Sequence, residues 1–360
     1  MIDIDGSQGE GGGQVLRTAL ALSMLTGQPV HLTRVRAGRR TPGLAPQHLA
    51  GVRAAAQICG ARVEGAHLRS TDVTFRPGGP VRPGGYTFDV SQLAETPSAG
   101  SVTLLLQTVL LPLALADGPS HLDLRGGTHV AWSPPAHYLE WVLLPTLALL
   151  GLRASLKLVT WGWYPQGGGR LEVDIEGDAQ LVGADLAARG DTADLQGLAA
   201  VCNLPSHIPH RIASRANNLL RDAGLPPQVQ PLRARGPSTG AGIFMALADQ
   251  NGIRAGFSAL GAKGKPSEAV AEEAILDLLA YHAQGSALDR YLPDQLLPAL
   301  ALAAGPSTLT TVEITRHTLT NVAVVRRFVR REITVEGAEG QPGRIRVQGD
   351  APQSEASTSL

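Results

Sequence analysis

An internal repeat is the feature that most constrains the fold of this chain. Residues 20–32, 113–122 and 299–309 each read as an apolar helix that ends at a glycine, followed by a turn and a strand. Glycine just past a helix end, with proline close behind it, is common at helix C-termini. A second helix is predicted after each strand, at 46–59, 134–150 and 321–330, and strand pairs follow. The pattern predicts an α+β/α/β fold of three βαβαββ units around a pseudo-threefold axis.

The third unit is interrupted by a segment that breaks the repeat. Between about 184 and 284 the sequence changes to loops and separate helices, which we predict at 194–202, 209–223 and 268–283. We therefore expect a large domain formed by 1–184 and 286–347, with a smaller α/β domain inserted at 185–285. The tail at 348–360 is polar and rich in small residues, and it is predicted to be disordered.

The charge distribution predicts a local anion site in a protein with no net charge. No Asp or Glu occurs between Glu10 and Glu64, and this span holds seven arginines: Arg17, Arg34, Arg36, Arg39, Arg40, Arg53 and Arg62. The whole chain has only three lysines, so its positive charge is almost entirely guanidinium. Guanidinium groups match the geometry of phosphate and bind it bidentately. A phosphate-binding surface is therefore expected near the N-terminal end of the chain.

Other compositional features exclude several classes of protein. The two cysteines form no paired motif, which argues against a disulfide framework or a structural zinc site. No signal-peptide pattern opens the sequence. The longest apolar run, at 102–116, is interrupted by Gln107 and Pro112, so it predicts a buried helix and no membrane span. A cytoplasmic protein is expected.

A glycine-rich loop at 9–14 precedes the first predicted helix, at 15–26. Such a loop presents free backbone N–H groups to an anion, although a simple flexible turn is the alternative. Glu10 is the only carboxylate in this surrounding of glycine and arginine. From spacing alone it is equally able to bind a divalent metal or to pair with Arg17.

His317 is the candidate nucleophile. It lies between a strand-like run at 309–314 and a helix-like run at 322–328, a place where histidine is often only a capping or core residue. A glycine loop, a carboxylate, several arginines and an imidazole are, however, the groups that handle phosphates through a covalent intermediate. Tyr291 and Pro134 are candidates to sandwich a planar base, with packing as the alternative.

The repeat itself points to one shared cleft. In every unit the turn between the second strand and the second helix holds unusual residues: Arg36, Arg39, Gln47 and His48 in the first, Gly126, Gly127 and Pro134 in the second, and His317 in the third. If the units pack around one axis, these turns converge.

These motifs together resemble those of the RNA 3′-terminal phosphate cyclase family, from residue 2 to about 347. The segments that carry the resemblance are 6–14, 36–39, 42–44, 47–49, 100–101 with Gln107, 126–128, 164–169, 291–292, 294–295, His317 and 320–321. The inserted segment matches more loosely. His129, His137 and Trp132 depart from the usual family pattern and bear on the fit of the substrate.

The resemblance implies an ATP-dependent enzyme that acts on RNA ending in a 3′-phosphate. His317 would attack the α-phosphate of ATP, pass AMP to the RNA 3′-phosphate, and so allow the 2′-OH to form a 2′,3′-cyclic phosphate. Glu10 is implied as a ligand of Mg²⁺ or Mn²⁺. The implied adenylate pocket comprises Gln107, Pro134, Tyr138, Tyr291, Asp294 and Gln295. The implied phosphate and RNA-end contacts are Arg17, Arg36, Arg39, Gln47 and His48.

Two other functions fit parts of the sequence. A non-catalytic relative of the cyclases acts in ribosome assembly and lacks the histidine, so His317 argues against it. An enolpyruvyl transferase shares a repeated βαβαββ architecture, but such enzymes depend on lysines, which are rare here. A lysine-type nucleotidyl ligase would need a Lys-x-Asp-Gly motif, and the sequence contains none.

Overall fold

The computed structural model describes residues 1–93 and 99–349, and the first βαβαββ unit occupies its N-terminal part. The elements of that unit are β1 Ile2–Asp5, α1 Gln14–Thr26, β2 Val30–Thr33, α2 Pro46–Cys59, β3 Arg62–Glu64 and β4 Val73–Arg76. Its strands form a sheet in the order β1-β2-β4-β3, with β1 and β2 parallel and the other pairs antiparallel.

The second unit repeats this order. It comprises β5 Gly85–Asp89, α3 Val102–Ala114, β6 Ser120–Gly126, α4 Ala136–Tyr138, α5 Leu144–Leu149, β7 Ala154–Thr160 and β8 Gly169–Ile175. The sheet order is β5-β6-β8-β7, and the first pair is again the parallel one. A π-helical turn at Leu139–Leu143 joins α4 to α5, so the second helix of this unit is continuous but locally widened.

The third unit begins at β9 Asp185–Leu186 and resumes about a hundred residues later. The segment between contains β10 Thr192–Cys202, α6 His207–Asp222, β11 Val229–Ala234, β12 Gly240–Asp249, β13 Arg254–Leu260 and α7 Ser267–Gln284. The remaining elements are α8 Leu292–Leu302, β14 Ser307–Thr311, α9 Arg316–Phe328, β15 Ile333–Glu336 and β16 Gly343–Val347. The sheet order β9-β14-β16-β15 repeats that of the other two units, which confirms the predicted repeat.

The intervening segment has a sheet and a core of its own. Its strands are ordered β11-β10-β12-β13, and buried side chains such as Ile212, Leu247 and Ile275 pack between this sheet and the helices α6 and α7. The strand β9 pairs with β14, so residues 185 and 186 belong to the sheet of the third unit. The division of the chain at 185 and 285 into two domains stays a prediction.

One apolar core joins the three units. It takes fully buried leucines from the first helix of every unit, including Leu20 of α1, Leu106 of α3 and Leu297 of α8. The same three helices line a central cavity of about 60 Å³. The first helices of the units therefore meet around a common centre, and polar residues on them become neighbours.

Two predicted helices differ from the structure. Residues 194–202 were expected to be helical but lie in the strand β10, which pairs with β11 on one side and with β12 on the other. The last four residues of β10 are all buried, with Ala199 in the core beneath the helices and Ala200 and Cys202 in the aromatic cluster, so this apolar run lacks the alternation that marks a strand. The helix expected from 321 begins at Arg316, because the Thr315 side chain accepts a hydrogen bond from the backbone N–H of Thr318 (3.1 Å) and caps it.

Within 1–93 and 99–349, no helix combines the length and the apolar character that crossing a bilayer requires. The tail was predicted to be disordered over 348–360, and residues 350–360 lie outside the described part of the chain.

Candidate active site

Three elements bring the candidate site together: the glycine loop before α1, the start of α8 and the start of α9. His317 is the second residue of α9 and lies in its first turn, rather than in a turn that precedes the helix. Backbone N–H groups in the first turn of a helix lack helical acceptors and are able to bind an anion. The capping by Thr315 thus places the imidazole beside a potential phosphate site.

A hydrogen-bonded chain runs from His317 through Gln14 to Asp294. The Nε2 of Gln14 donates to Oδ2 of Asp294 (2.5 Å), and Oε1 of Gln14 lies 2.6 Å from Nδ1 of His317. Because the amide nitrogen faces the carboxylate, the amide oxygen must accept from the ring. The proton of a neutral imidazole is therefore on Nδ1, and Nε2 carries a free lone pair.

The surroundings keep this imidazole neutral. Partial desolvation lowers the pKa of His317, and Arg17 and Arg39 lower it further, while Glu10 acts in the opposite direction. Burial raises the pKa of Asp294 to about 7, although Arg17 and the bond from Gln14 oppose the rise. Because the pKa of His317 is lowered, its imidazole is a neutral base with an available nitrogen at pH 7.

Glu10 is held by the glycine loop and by an arginine. Its Oε2 accepts from Arg39 Nη2 at 2.5 Å, and its backbone N–H donates to Thr320 Oγ1 at 3.0 Å. Its carboxylate is only 5% exposed. The ion pair is thus formed with Arg39, whereas pairing with Arg17 was the alternative expected from spacing. A Cβ at position 12 would overlap the Glu10 carboxylate and Arg39 Nη2, so a side chain there would displace this ion pair.

The arginines predicted to bind phosphate surround a buried histidine. Burial lowers the pKa of Arg17 to about 10, with Glu10 and Asp294 opposing this shift and Arg39 adding to it. His48 is 6% exposed, and its Nδ1 has no hydrogen-bond partner in the described part of the chain. Burial, then Arg36, Arg17 and Arg39, hold the pKa of His48 well below its usual range. A bound anion would relieve this concentration of positive charge.

The remaining members of this group lie at its edge. Arg36 Nη1 donates to the carbonyl oxygens of Thr41 (3.0 Å) and Gly43 (2.6 Å), so its guanidinium is anchored to the loop. Gln47 Oε1 accepts from the backbone N–H of Ser101 (2.9 Å) and so connects the first unit to the start of α3. Glycine is required at position 13, because a Cβ there would overlap His48 Nε2.

Half of the predicted adenylate residues meet at the central cavity. Gln107, Asp294 and Gln295 line it together with Gln14 and Arg17. Gln107 Nε2 donates to Gln295 Oε1 (2.5 Å), and Gln295 Nε2 donates to the carbonyl of Tyr291 (2.7 Å).

The other three predicted adenylate residues lie outside the lining of that cavity. Tyr291 is half exposed at the start of α8, and Tyr138 is buried. Pro134 is fixed through its carbonyl, which accepts from Thr103 Oγ1 (2.8 Å).

The sequence did not indicate the roles of Gln14 and Asp289. The buried carboxylate of Asp289 accepts from Tyr138 Oη (3.0 Å) and from the backbone N–H groups of Gly256 (2.8 Å), Tyr291 (2.7 Å) and Leu292 (3.0 Å). It therefore joins β13, α4 and the start of α8. An aspartate just before a proline-containing helix start is a capping signal that would have pointed to it.

Two of the three residues that depart from the family pattern are buried. His129 Nε2 lies 2.9 Å from His137 Nδ1, and both rings pack among Trp161 and Phe244. Burial lowers the pKa of His137 to about 4, so this pair is neutral and part of an aromatic cluster. Trp132 differs, since 97% of its surface is exposed.

Comparison with known proteins identifies the family of this chain. The family model described as RNA 3′-terminal phosphate cyclase matches residues 8–335. The RNA 3′-terminal phosphate cyclase of Trichormus variabilis is 51% identical over 339 residues, covering 94% of this chain and 97% of the relative. That of Methylococcus capsulatus is 48% identical and covers 97% of both chains. The solved enolpyruvyl transferase NikO from Streptomyces tendae matches with a TM-score of 0.28 and 20% identity, covering 49% of this chain and 33% of its own.

Proposed function

Because the chain belongs to the RNA 3′-terminal phosphate cyclase family, we propose that this enzyme uses ATP to convert an RNA 3′-terminal phosphate to a 2′,3′-cyclic phosphate through a histidine–AMP intermediate. The observation that carries the proposal is the bond between Gln14 Oε1 and His317 Nδ1, which leaves Nε2 free beside a cluster of arginines. The cytoplasm, where ATP and RNA occur together, is the proposed location.

In the first step His317 Nε2 attacks the α-phosphorus of ATP. A P–N bond forms, the P–O bond to the β-phosphate breaks, and pyrophosphate leaves with the electron pair. The ring becomes positively charged as the bond forms. Gln14 Oε1 accepts from the Nδ1 proton throughout, and the carboxylate of Asp294 holds the Gln14 amide from behind. This chain of bonds stabilises the developing charge and fixes the orientation of the ring.

In the second step an oxygen of the RNA 3′-phosphate attacks the phosphorus of the histidine–AMP adduct, and the P–N bond breaks. In the third step the adjacent 2′-oxygen attacks the activated 3′-phosphorus, loses its proton and displaces AMP. Imidazole is well suited to such a relay, because its phosphoramidate transfers readily to oxygen nucleophiles. A serine ester would hold AMP too firmly to pass it on.

The positions of the charged groups support the following contacts with the substrates. Arg17, Arg36 and Arg39 bind the triphosphate and the RNA terminal phosphate, with Gln47 and the neutral His48 beside them. Gln107, Asp294 and Gln295 face the adenylate, and its base lies between Tyr291 and Pro134, with Tyr138 behind. Three arginines surround His48, whereas Glu10 and Asp294 are the acidic groups that act on them, and this excess of positive charge supports a dianionic terminal phosphate at this place.

A divalent metal fits this site with Glu10 as a single protein ligand. Among the residues described, no cluster of three or more His, Cys, Asp or Glu side chains could hold an ion. Magnesium is commonly held by one carboxylate, substrate phosphates and water, so a lone Glu10 is sufficient once ATP is present. A bound Mg²⁺ or Mn²⁺ would neutralise charge on the pyrophosphate leaving group.

Replacing Glu10 by glutamine is expected to raise the Mg²⁺ concentration needed for half-maximal self-adenylylation by about tenfold or more, since one charged ligand is lost. Glutamine keeps the size of the side chain and its bond to Arg39. A titration of metal at saturating ATP measures the shift. An unchanged titration curve would leave Glu10 as the structural partner of Arg39 alone.

The proposed reaction is tested by incubating the protein with ATP, Mg²⁺ and a 3′-end-labelled RNA that ends in a 3′-phosphate. The expected product resists phosphatase, because a cyclic phosphate is a diester, and it regains sensitivity after acid opens the ring. The same RNA with a 3′-OH end is the control and should be unchanged. A product that stays sensitive to phosphatase would refute cyclisation.

A further inference from the structure

Two aromatic side chains in neighbouring loops of the second unit are exposed. Trp132 is 97% exposed, in the loop between β6 and α4, and Tyr164 is 75% exposed, in the loop between β7 and β8. Only one other aromatic ring in 1–93 and 99–349 is exposed to a comparable degree, that of Tyr291 at the proposed adenine site. Packing in the interior explains the presence of most aromatic residues in this protein, but it does not explain Trp132 and Tyr164.

The two loops are adjacent. His129 and Trp163 pair as a parallel bridge, and the backbone N–H groups of Thr128 and His129 both donate to the carbonyl of Gly162 (2.9 and 3.0 Å). Trp132 follows this bridge by three residues and Tyr164 by one. The loops therefore present both rings from the same end of the second sheet.

Buried contacts and hydrogen bonds hold both loops in position. Trp163 is buried in the aromatic cluster with His129, and its backbone N–H donates to Ser238 Oγ at 2.7 Å. Ser133 Oγ donates to the carbonyl of Val130 at 2.9 Å, which closes the loop that carries Trp132. A ring presented on a fixed backbone loses little conformational freedom when it binds a partner.

The backbone of Trp132 is strained. Its φ of 65° lies in the left-handed region, which a bulky side chain rarely occupies and which glycine adopts freely. The ring gains no burial in return for this strain. Unfavourable backbone geometry that is maintained without a packing benefit is typical of positions that bind ligands.

A series of hydrogen bonds connects this surface to the proposed RNA-end contacts. Pro134 O accepts from Thr103 Oγ1, which lies 2.7 Å from Ser101 Oγ, and the backbone N–H of Ser101 donates to Gln47 Oε1. Gln47 precedes His48 in α2, beside the arginines. The loop that carries Trp132 is therefore linked, through Thr103 and Ser101, to one of the proposed RNA-end residues.

We propose that Trp132 and Tyr164 form a stacking surface for unpaired bases of the RNA that precede its 3′-terminal nucleotide. Every base has a face that stacks on an aromatic ring, so such a surface holds single-stranded RNA without regard to its sequence. This inference rests on the proposed function for the nature of the ligand. It adds a contact that is independent of the terminal phosphate and of ATP.

The surface is tested by titrating single-stranded RNA without ATP while following tryptophan fluorescence. Trp132 is the most exposed of the four tryptophans, and Trp163 is only 3% exposed, so stacking on Trp132 should dominate the quenching. Trp132→Gly should retain the fold, because glycine tolerates the backbone geometry. It should weaken binding of an octanucleotide by about 5- to 150-fold, the loss expected for one stacked base.

The end of the RNA and its length separate this contact from the catalytic site. The octanucleotide with a 3′-OH should lose affinity in the same proportion as the one with a 3′-phosphate, whereas a 3′-phosphorylated dinucleotide should lose little. Self-adenylylation with ATP alone should be unchanged. Trp132→Phe should restore most of the affinity, and Leu276→Ala, which removes an exposed apolar residue from α7, should bind as the wild type does.

Octanucleotide binding by Trp132→Gly at wild-type affinity would overturn the inference, whether or not the enzyme cyclises RNA. A shift in sedimentation with no change in RNA binding would instead assign Trp132 to contact between copies of the chain. Failure of the wild type to adenylylate itself would count against the proposed function alone, since the RNA titration needs no ATP.

Discussion

A His317→Ala variant incubated with α-labelled ATP and Mg²⁺ is expected to carry no label after denaturation and to form no cyclic phosphate. The wild type is expected to be labelled, because the ring of His317 is neutral at pH 7. Gln14 Oε1 holds the single ring proton on Nδ1, so Nε2 is unprotonated and able to attack. Alanine removes the nucleophile but retains the first turn of α9, which is capped by Thr315. The loss should therefore be complete without unfolding.

A substrate that enters after the histidine step provides the control. RNA whose 3′-phosphate already carries AMP should still be cyclised by the alanine variant, since only attack by the 2′-oxygen remains. The wild-type adduct should be lost in acid and survive in alkali, as expected for a P–N bond. Labelling of the alanine variant, or an adduct with the stability of an ester, would assign the nucleophile to another residue.

The repeat was predictable because the residues that end its helices are local signals in the sequence. Glycine and proline at the helix ends mark each unit in the sequence, and the three sheets have the same strand order. The interior strand β10 was not predictable in the same way. The end of this strand is buried on both faces, by the core beneath the helices and by the aromatic cluster, so its apolar residues do not alternate with polar ones and suggested a helix.

The composition of the site was easier to predict than its connections. A glycine loop and an arginine-rich span in the sequence indicated phosphate binding. The bond between Gln14 and His317 joins residues 303 positions apart, and the four bonds to Asp289 join three separate elements. Such contacts depend on how the units pack. Spacing also left the partner of Glu10 undecided between a metal and Arg17, whereas packing brings Arg39 to it.

The pairing of Gln14 with Asp294 has a consequence for the acid–base behaviour of the site. Burial brings the pKa of Asp294 to about 7, while the donated bond from Gln14 favours its charged form. The Gln14 amide, held by Asp294, orients the imidazole through its bond to Nδ1. Because the amide is neutral, no full negative charge lies against Nδ1. Desolvation, with Arg17 and Arg39 against Glu10, lowers the pKa of His317, and this favours the free base needed for attack.

Replacing Gln14 by leucine is expected to slow self-adenylylation by a factor on the order of 10² to 10⁴, the size of effect seen when a catalytic histidine loses the group that fixes its tautomer. Leucine fills the space but accepts no bond, so Nδ1 loses its partner and the proton is free to move to Nε2. Gln228→Leu, at an exposed position before β11, is the matched control and should label at the wild-type rate.

Replacing Gln14 by glutamate separates orientation from charge. A carboxylate against Nδ1 still accepts the proton and stabilises the imidazolium, while its second oxygen shares a proton with Asp294, which has no amide donor left and whose pKa is already raised to about 7. The pair of carboxyl groups then carries one negative charge, so the pKa of His317 should rise above its lowered wild-type value. The protonated ring cannot attack, and labelling falls as the pH drops through the pKa of His317. The acidic limb of the single-turnover rate, measured from pH 5 to pH 9, should therefore move to higher pH in Gln14→Glu. The rate at high pH should exceed that of Gln14→Leu, because glutamate still orients the ring. Identical pH profiles in all three proteins would mean that Gln14 does not hold the proton on Nδ1 during catalysis.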